Sequence, residues 1–404
     1  MRSVGHLIPC RHAGPQQFWK DFKKITRGDL PVGVRENIAY ISTDPRDSLA
    51  FGSPLQVLSA ACMFAATGRS GAGFSPRELA AEMGIETLLN QPIRTLSGGE
   101  SVKLALAKAL AVSGTSSKLV VSSPFSWLSQ SNRIFFDRAL DSYHQQQVPT
   151  EILALEGEDD LAPIQSEPFR RGDVAKPTFC LVFAGARLAI GSPVNAVSDE
   201  QLYARVADFN GKLVSPCLLA GENGQGKSLL AKSLTGAVTV RGRAVIKSSR
   251  VTGRARLLFQ DVITQTLLRS FNQIVSSVKA HRRDRTEKVY QKLYRACETQ
   301  PGDSGAGSAA RPRTLFEIKL ILIAVRLAER PPALILDEPD WGLSRPDAIS
   351  LVTAAISTAH GLDVPVILIS HKPWWQPIVG SILNVKKVPL NAGDGPFEIR
   401  LEQV

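Results

Sequence analysis

KLVVSSPFSWLSQ (Lys118 to Gln130) and ALILDEPDWGLSR (Ala333 to Arg345) share one plan: a short apolar run, two residues, a proline, three residues, then Leu-Ser. Pro124 and Pro339 are 215 positions apart, as are Leu128 and Leu343, and the same offset relates ILALE (Ile152 to Glu156) to ILISH (Ile367 to His371). AYISTDP (Ala39 to Pro45) and RLLFQDV (Arg256 to Val262) correspond at 217, while RTLSGGESVKL and RTLFEIKL share their ends and differ by three residues between them. Several matches in one order read as an internal duplication.

Within each half the pattern is strand, loop, helix, then strands of the LVV, LIL and VIL type. Short runs of branched apolar residues that end at a polar site are what buried parallel strands look like. At 404 residues the chain is long enough for two domains with their own cores. The break between them is expected in EGEDDLAPIQSEPFRRGDVAKPT (Glu156 to Thr178), where charge and proline displace the apolar period. The expected division is 1–160, a linker at 161–180, and 181–404. QPGDSGAGSAARP (Gln300 to Pro312) reads as a loop, and HRRDRTEKVYQKLYRACE before it as a basic, exposed helix.

The 48 Lys and Arg outnumber 37 Asp and Glu, a formal charge of +11 that suits an anionic partner such as nucleotide, nucleic acid or an anionic lipid surface. Five scattered cysteines (Cys10, Cys62, Cys180, Cys217, Cys297) without a CxxC pair point to neither a disulfide framework nor a zinc site. The start of the chain has no apolar core of signal-peptide length. The most apolar region, Leu315 to Pro339, is interrupted by Glu317, Lys319, Arg326, Glu329 and Arg330 and cannot span a bilayer.

GENGQGKS (Gly221 to Ser228) follows an apolar strand and precedes a helical LLAKSLTG. In that setting glycines let successive backbone N–H groups curl around phosphates. Lys227 would neutralise the β and γ phosphates, and Ser228 would offer its hydroxyl to magnesium. ALILDEP puts Asp337 and Glu338 at the end of a buried strand, one carboxylate for a magnesium shell and the next to polarise an attacking water. Gln260, at the end of RLLF, could reach metal and water, and His371, after VILIS, could contact the γ phosphate.

Together these motifs resemble an ATP-binding cassette (ABC) ATPase with two cassettes in tandem, an α/β fold of two P-loop nucleotide-binding domains. The resemblance makes Gly221, Glu222, Asn223, Gly224, Gln225, Gly226, Lys227 and Ser228 the Walker A loop and Gln260 the Q-loop glutamine. Asp337 becomes the Walker B aspartate, Glu338 the catalytic glutamate and His371 the switch histidine. Leu96, Ser97, Gly98, Gly99 and Glu100 become the signature. It implies ATP and magnesium, the metal held by Ser228, Gln260 and Asp337.

The departures from that pattern are complementary. In the first half CRHAGPQQ (Cys10 to Gln17) stands at Walker A with Gln16 at the lysine's place, Ser122 and Ser123 replace the acidic pair, Thr43 the glutamine and Glu156 the histidine. The second half has lost the serine and glycines of its signature. Cassettes of this family dimerise head to tail, so the resemblance implies a truncated, degenerate first domain whose signature serves the nucleotide held by Lys227, and a single composite site that needs no homo-oligomer. Ser129 and Ser344 stand where the family's D-loop has aspartate.

TDPRDSLAFGSPLQVL (Thr43 to Leu58) is similar to the QDP-type loop of energy-coupling-factor importers. The first expectation is therefore a cytoplasmic ATPase subunit, peripheral on the inner face of the membrane, working on an integral membrane transport subunit. The second is a non-transport ABC ATPase acting on a ribosome or nucleic acid, motivated by the charge and the helix from His281 to Glu298; a third is a clamp that binds ATP and scarcely hydrolyses it.

Overall fold

A computed structural model of the chain describes residues 6–10, 38–41, 49, 52–66, 74–93, 96, 98–112, 118–122, 133–145, 150–155, 176–189, 203–222, 224–260, 262, 273–274, 276, 278–297, 315–390 and 397–404. It divides into two compact units, Met1–Asp159 and Asp160–Val404.

In the first unit the described strands β1 (His6–Cys10), β2 (Ile38–Ile41), β3 (Lys118–Ser122) and β4 (Thr150–Leu155) form a parallel sheet in the order β1-β4-β3-β2. Helices α1 (Pro54–Ala66), α2 (Pro76–Glu82), α3 (Gly98–Ala111) and α4 (Arg133–Gln145) accompany it. The start of α2 is written in SPRE: Ser75 Oγ accepts from Glu78 N, the Glu78 carboxylate accepts from Ser75 N, and Pro76 occupies the first helical position, where no N–H is needed. VKLALAKALA is apolar almost all round, and α3 is accordingly central, packed by α1, α2 and α4 with Leu104, Leu106, Ala107 and Leu110 fully buried.

In the second unit, strands β5 (Thr178–Ala189), β6 (Tyr203–Val206), β7 (Phe209–Val214), β8 (Cys217–Ala220), β9 (Val240–Ser248), β10 (Thr252–Gly253) and β11 (Arg256–Leu258) precede β12 (Leu334–Asp337), β13 (Val366–Ile369), β14 (Ser381–Pro389) and β15 (Phe397–Gln403). They join one sheet in the order β10-β9-β5-β6-β15-β14-β8-β13-β12-β11, with β7 on β5. β5 opens inside the stretch 161–180 expected as a linker.

The limb β8-β13-β12-β11 is parallel throughout and repeats the order β1-β4-β3-β2 of the first unit. Even a register repeats: Ala39 pairs with Leu119 and Arg256 with Leu334. Every residue of β12 and β13 is buried, the mark of strands covered on both faces. The other limb is mostly antiparallel, with β5 paired to β6, β7 and β9 and β14 to β15.

Helix α5 (Lys227–Thr235) sets Leu230, Ala231 and Leu234 into a core with Leu219, Ile335, Ile367 and Ile369. α6 (Ala280–Ala296) packs on α7 (Leu315–Ala328) and α8 (Arg345–His360), burying Thr286, Val289, Tyr290 and Leu293 and leaving its charged face exposed. Among the described residues no helix is long and apolar enough to cross a membrane.

Candidate nucleotide site

Parallel strands all end on one edge of a sheet, and there the second unit gathers its chemistry. The loop after β8 leads into α5. Gly226 caps that helix at φ +91°, where an L side chain is strained, and a Cβ there would lie 2.7 Å from Ile399 Cδ1. Gly221 is equally constrained, since its Cβ would meet the Val385 carbonyl oxygen at 2.7 Å. The Gln225 side chain fastens the loop by accepting from Lys387 N at 2.6 Å. Lys227, buried, donates to its own loop carbonyls, Gly221 O at 2.6 Å and Glu222 O at 2.9 Å. Burial pulls its ammonium below the ordinary lysine range, against the opposing pull of Glu338, Asp337 and Glu222.

The next residue joins the loop to β12: Ser228 Oγ donates to Asp337 Oδ1 at 3.2 Å. Burial, then the neighbouring Glu338, push the Asp337 carboxyl up to about 7, while Ser228 and Lys227 oppose them. A buried carboxylate with so high a proton affinity, paired to a hydroxyl, is a donor set fit for a magnesium ion, which takes one or two protein oxygens and completes its shell with water and phosphate.

Glu338 stands at φ +44°, a left-handed conformation uncommon for a residue with a Cβ. Its N–H donates to Ile369 O at 2.9 Å, which turns the chain off β12 and aims the side chain at the end of β13. There Oε1 lies 3.0 Å from His371 Nδ1. A carboxylate can only accept, so Nδ1 carries the proton. Among the described residues, neither Glu338 Oε2 nor His371 Nε2, both buried, has a hydrogen-bond partner. Burial pushes the Glu338 carboxyl up, but His371, Lys227 and Lys372 outweigh it and hold it below the ordinary glutamate range. Of two adjacent acids, one is thus made proton-hungry and the other kept ionised.

Lys227, Ser228, Asp337, Glu338 and His371 therefore converge. Gln260 lies just beyond β11 and, among the described residues, hydrogen-bonds none of them. Asn223 and Ser97 lie outside the described residues, as do Gln16, Thr43, Ser123, Ser129 and Glu156. Leu96 is buried with its N–H on Ile93 O at 3.0 Å, and Gly98, Gly99 and Glu100 form the first turn of α3. The N-terminus of a helix of that length presents free N–H groups and a partial positive charge.

One residue of the corner shows in the sequence only as a charge interrupting an apolar run. Lys319, on α7, is fully buried and donates to Pro339 O at 2.7 Å and Trp341 O at 2.5 Å, so it holds the segment that follows the acidic pair. Its lysine counterpart in the repeat, Lys103 of RTLSGGESVKL, was the available signal. Ser344 caps α8, its Oγ accepting from Asp347 N.

No protein-family model matches the chain. A putative ABC transporter ATP-binding protein of Methanosarcina mazei is 27% identical over 160 residues, 37% of this chain and 49% of its own length. An uncharacterized ABC transporter ATP-binding protein of Mycobacterium tuberculosis is 26% identical over 322 residues, 72% of this chain and 44% of its own length. The chain thus spans less than half the length of these curated relatives. A structure described as a model of ribosome-bound archaeal Pelota and ABCE1 superposes with a TM-score of 0.60 over 96% of this chain and 67% of the other, at 14% identity, a likeness of fold. Motif order, strand order and these likenesses agree on one kind of molecule, the tandem ATP-binding cassette ATPase, and this chain is similar to it across both halves.

Proposed function

We propose that the chain is a magnesium-dependent ATPase with one nucleotide site, in which the second unit binds and cleaves ATP and the signature Leu96–Glu100 of the first completes the contact with the γ phosphate. The observation that carries this reading is the Glu338–His371 pair beside the Ser228–Asp337 pair at the mouth of the lysine-bearing loop. Lys227 leaves its loop carbonyls for the β and γ phosphates. Ser228, Asp337 and Gln260 would hold magnesium, which when bound offsets charge on the phosphate oxygens. Glu338, oriented by His371, aligns the attacking water and accepts its proton as the water oxygen bonds to the γ phosphorus in line and the bond to the bridging oxygen breaks, releasing ADP and phosphate. The first unit, with serines in place of the acidic pair, cleaves nothing itself.

Closing on ATP and reopening after cleavage is the mechanical output. The load we propose is an integral membrane transport subunit of the energy-coupling-factor kind. The names of the sequence relatives, which call them transporter ATP-binding proteins, support that choice. Glu338→Gln should lower turnover by about 10²-fold or more and retain ATP, since the variant keeps the loop and loses the group that activates water. Turnover equal to wild type would reject Glu338 as the base. Co-purification of the full chain with a polytopic membrane protein supports the transport load, whereas recovery of ribosomal particles instead moves it to the second reading.

A further inference from the structure

One basic cluster has no part in the nucleotide chemistry. His281, Arg285, Lys288 and Lys292 of α6 and Arg330, just past α7, line a cleft of about 420 Å³. Its floor includes Val289 and Leu362, and Asp284 is the one carboxylate in the lining. Arg285, Lys288 and Lys292 recur at three- and four-residue steps, a stripe about 10 Å long on one helix face. Among the described residues no carboxylate lies within ion-pair distance of Arg285, Lys288, Lys292 or Arg330. Two acids of neighbouring segments are engaged elsewhere, Glu329 with Arg256 and Arg282 and Asp363 with Arg250.

The cations are also placed by the backbone around them. Arg330 holds φ +50° at a position past a helix end where glycine is the usual residue. Arg285 Nη1 donates to Ala328 O at 3.3 Å, which anchors one edge of its guanidinium. A Cβ on Gly361 would sit 2.7 Å from Lys292 Nζ, so the glycine leaves the lysine its place. Like charges drawn around one hollow repel each other until an anion joins them.

We propose that this cleft binds a small anion carrying two or more phosphate groups, at a site separate from the nucleotide loop. Its volume falls within the range of small-molecule sites. The concave shape fits a compact ligand better than a continuous polyanion. Large apolar residues exposed among the described residues (Met63, Phe64, Ile134, Val251, Val404) lie on other elements, so α6 offers no wedge for entering a membrane.

The test is calorimetric titration of the full chain with inorganic tripolyphosphate in a Lys227→Ala background, which removes the nucleotide loop from the measurement. The expected result is a salt-sensitive site, weakened at least about 100-fold by Lys288→Glu with Lys292→Glu, because each charge-assisted contact is worth about tenfold or more. Both substitutions are on exposed residues, and an unchanged thermal midpoint verifies folding. Phosphatidylcholine vesicles doped with phosphatidylinositol bisphosphate give the second arm: capture that needs the same lysines assigns the phosphates to a lipid headgroup, and no capture assigns them to a free ligand. Absence of tripolyphosphate and vesicle binding, binding indifferent to the lysines, or binding of RNA oligomers alone overturns the proposal. Failure of the ATPase reading would show in Glu338→Gln and leaves this result untouched.

Discussion

Lys319→Met should destabilise the protein by an amount that grows with pH. Burial pulls the Lys319 ammonium down to about 7, against the attraction of Asp340 and Glu338. An unfolded lysine titrates near 10.5. Between those values the unfolded chain binds the extra proton, so wild-type stability rises with pH, and the cost of holding the charge is felt fully only below about pH 7. From pH 7 to pH 9 this group adds about 2 kcal/mol to wild type and nothing to the methionine variant. The variant also orphans the Pro339 and Trp341 carbonyls, at about 1–3 kcal/mol for each buried group left unpaired. The gap between the two proteins should therefore widen by about 2 kcal/mol between pH 7 and pH 9. Urea unfolding followed by tryptophan fluorescence measures it, with Trp341, 5.8 Å from the Lys319 nitrogen, as a local reporter. Titrating groups remote from Lys319 cancel in the difference. A gap that is flat or shrinks with rising pH refutes the buried-ammonium argument.

His360 runs in the acid direction: burial, helped by Lys176, pulls its imidazole down to about 4, so its contribution is complete above pH 6.5 and lost as pH falls towards 4. Because the ring is partly exposed, the loss is discounted to about 1–2 kcal/mol, and His360→Gln should flatten the decline in urea midpoint between pH 7 and pH 5. Gly226→Ala should cost about 1–3 kcal/mol and weaken ATP binding, read by melting temperature and nucleotide titration, since it forces a Cβ against Ile399 at a left-handed φ. Ser122→Ala should leave turnover within about twofold of wild type, because a serine at the end of β3 offers no group strong enough to activate water.

The core of the candidate nucleotide site was legible because its parts sit at the ends of adjacent strands, where the order of motifs along the chain dictates which side chains meet. GENGQGKS, the acidic pair and the histidine needed only the parallel limb to converge. The duplication was legible too, and the matching strand order of the two units is what the structure adds to it. The antiparallel limb was not: TFCLVFAGARLA and FNGKLV carry no motif, and short apolar runs do not state their partners. Neither could spacing disclose that Glu338 takes a left-handed φ or that His371 bonds it through Nδ1, since both arise from the chain leaving β12 against β13. The sequence shows Lys319 only as a break in an apolar segment, and its burial was not legible because a lysine is buried only where carbonyls from a distant segment receive it. α6 was legible as basic, but its cleft depends on Arg330 and Leu362, which are remote in sequence.

ATP stoichiometry and turnover on the purified chain, compared for wild type, Lys227→Ala and Gly98→Asp, test the central claim most directly. One ATP per chain, with turnover abolished by each substitution, is the result expected if the first unit's signature serves the second unit's nucleotide. Full turnover in Gly98→Asp would contradict it, because the signature would then have no part in cleaving the ATP that Lys227 holds.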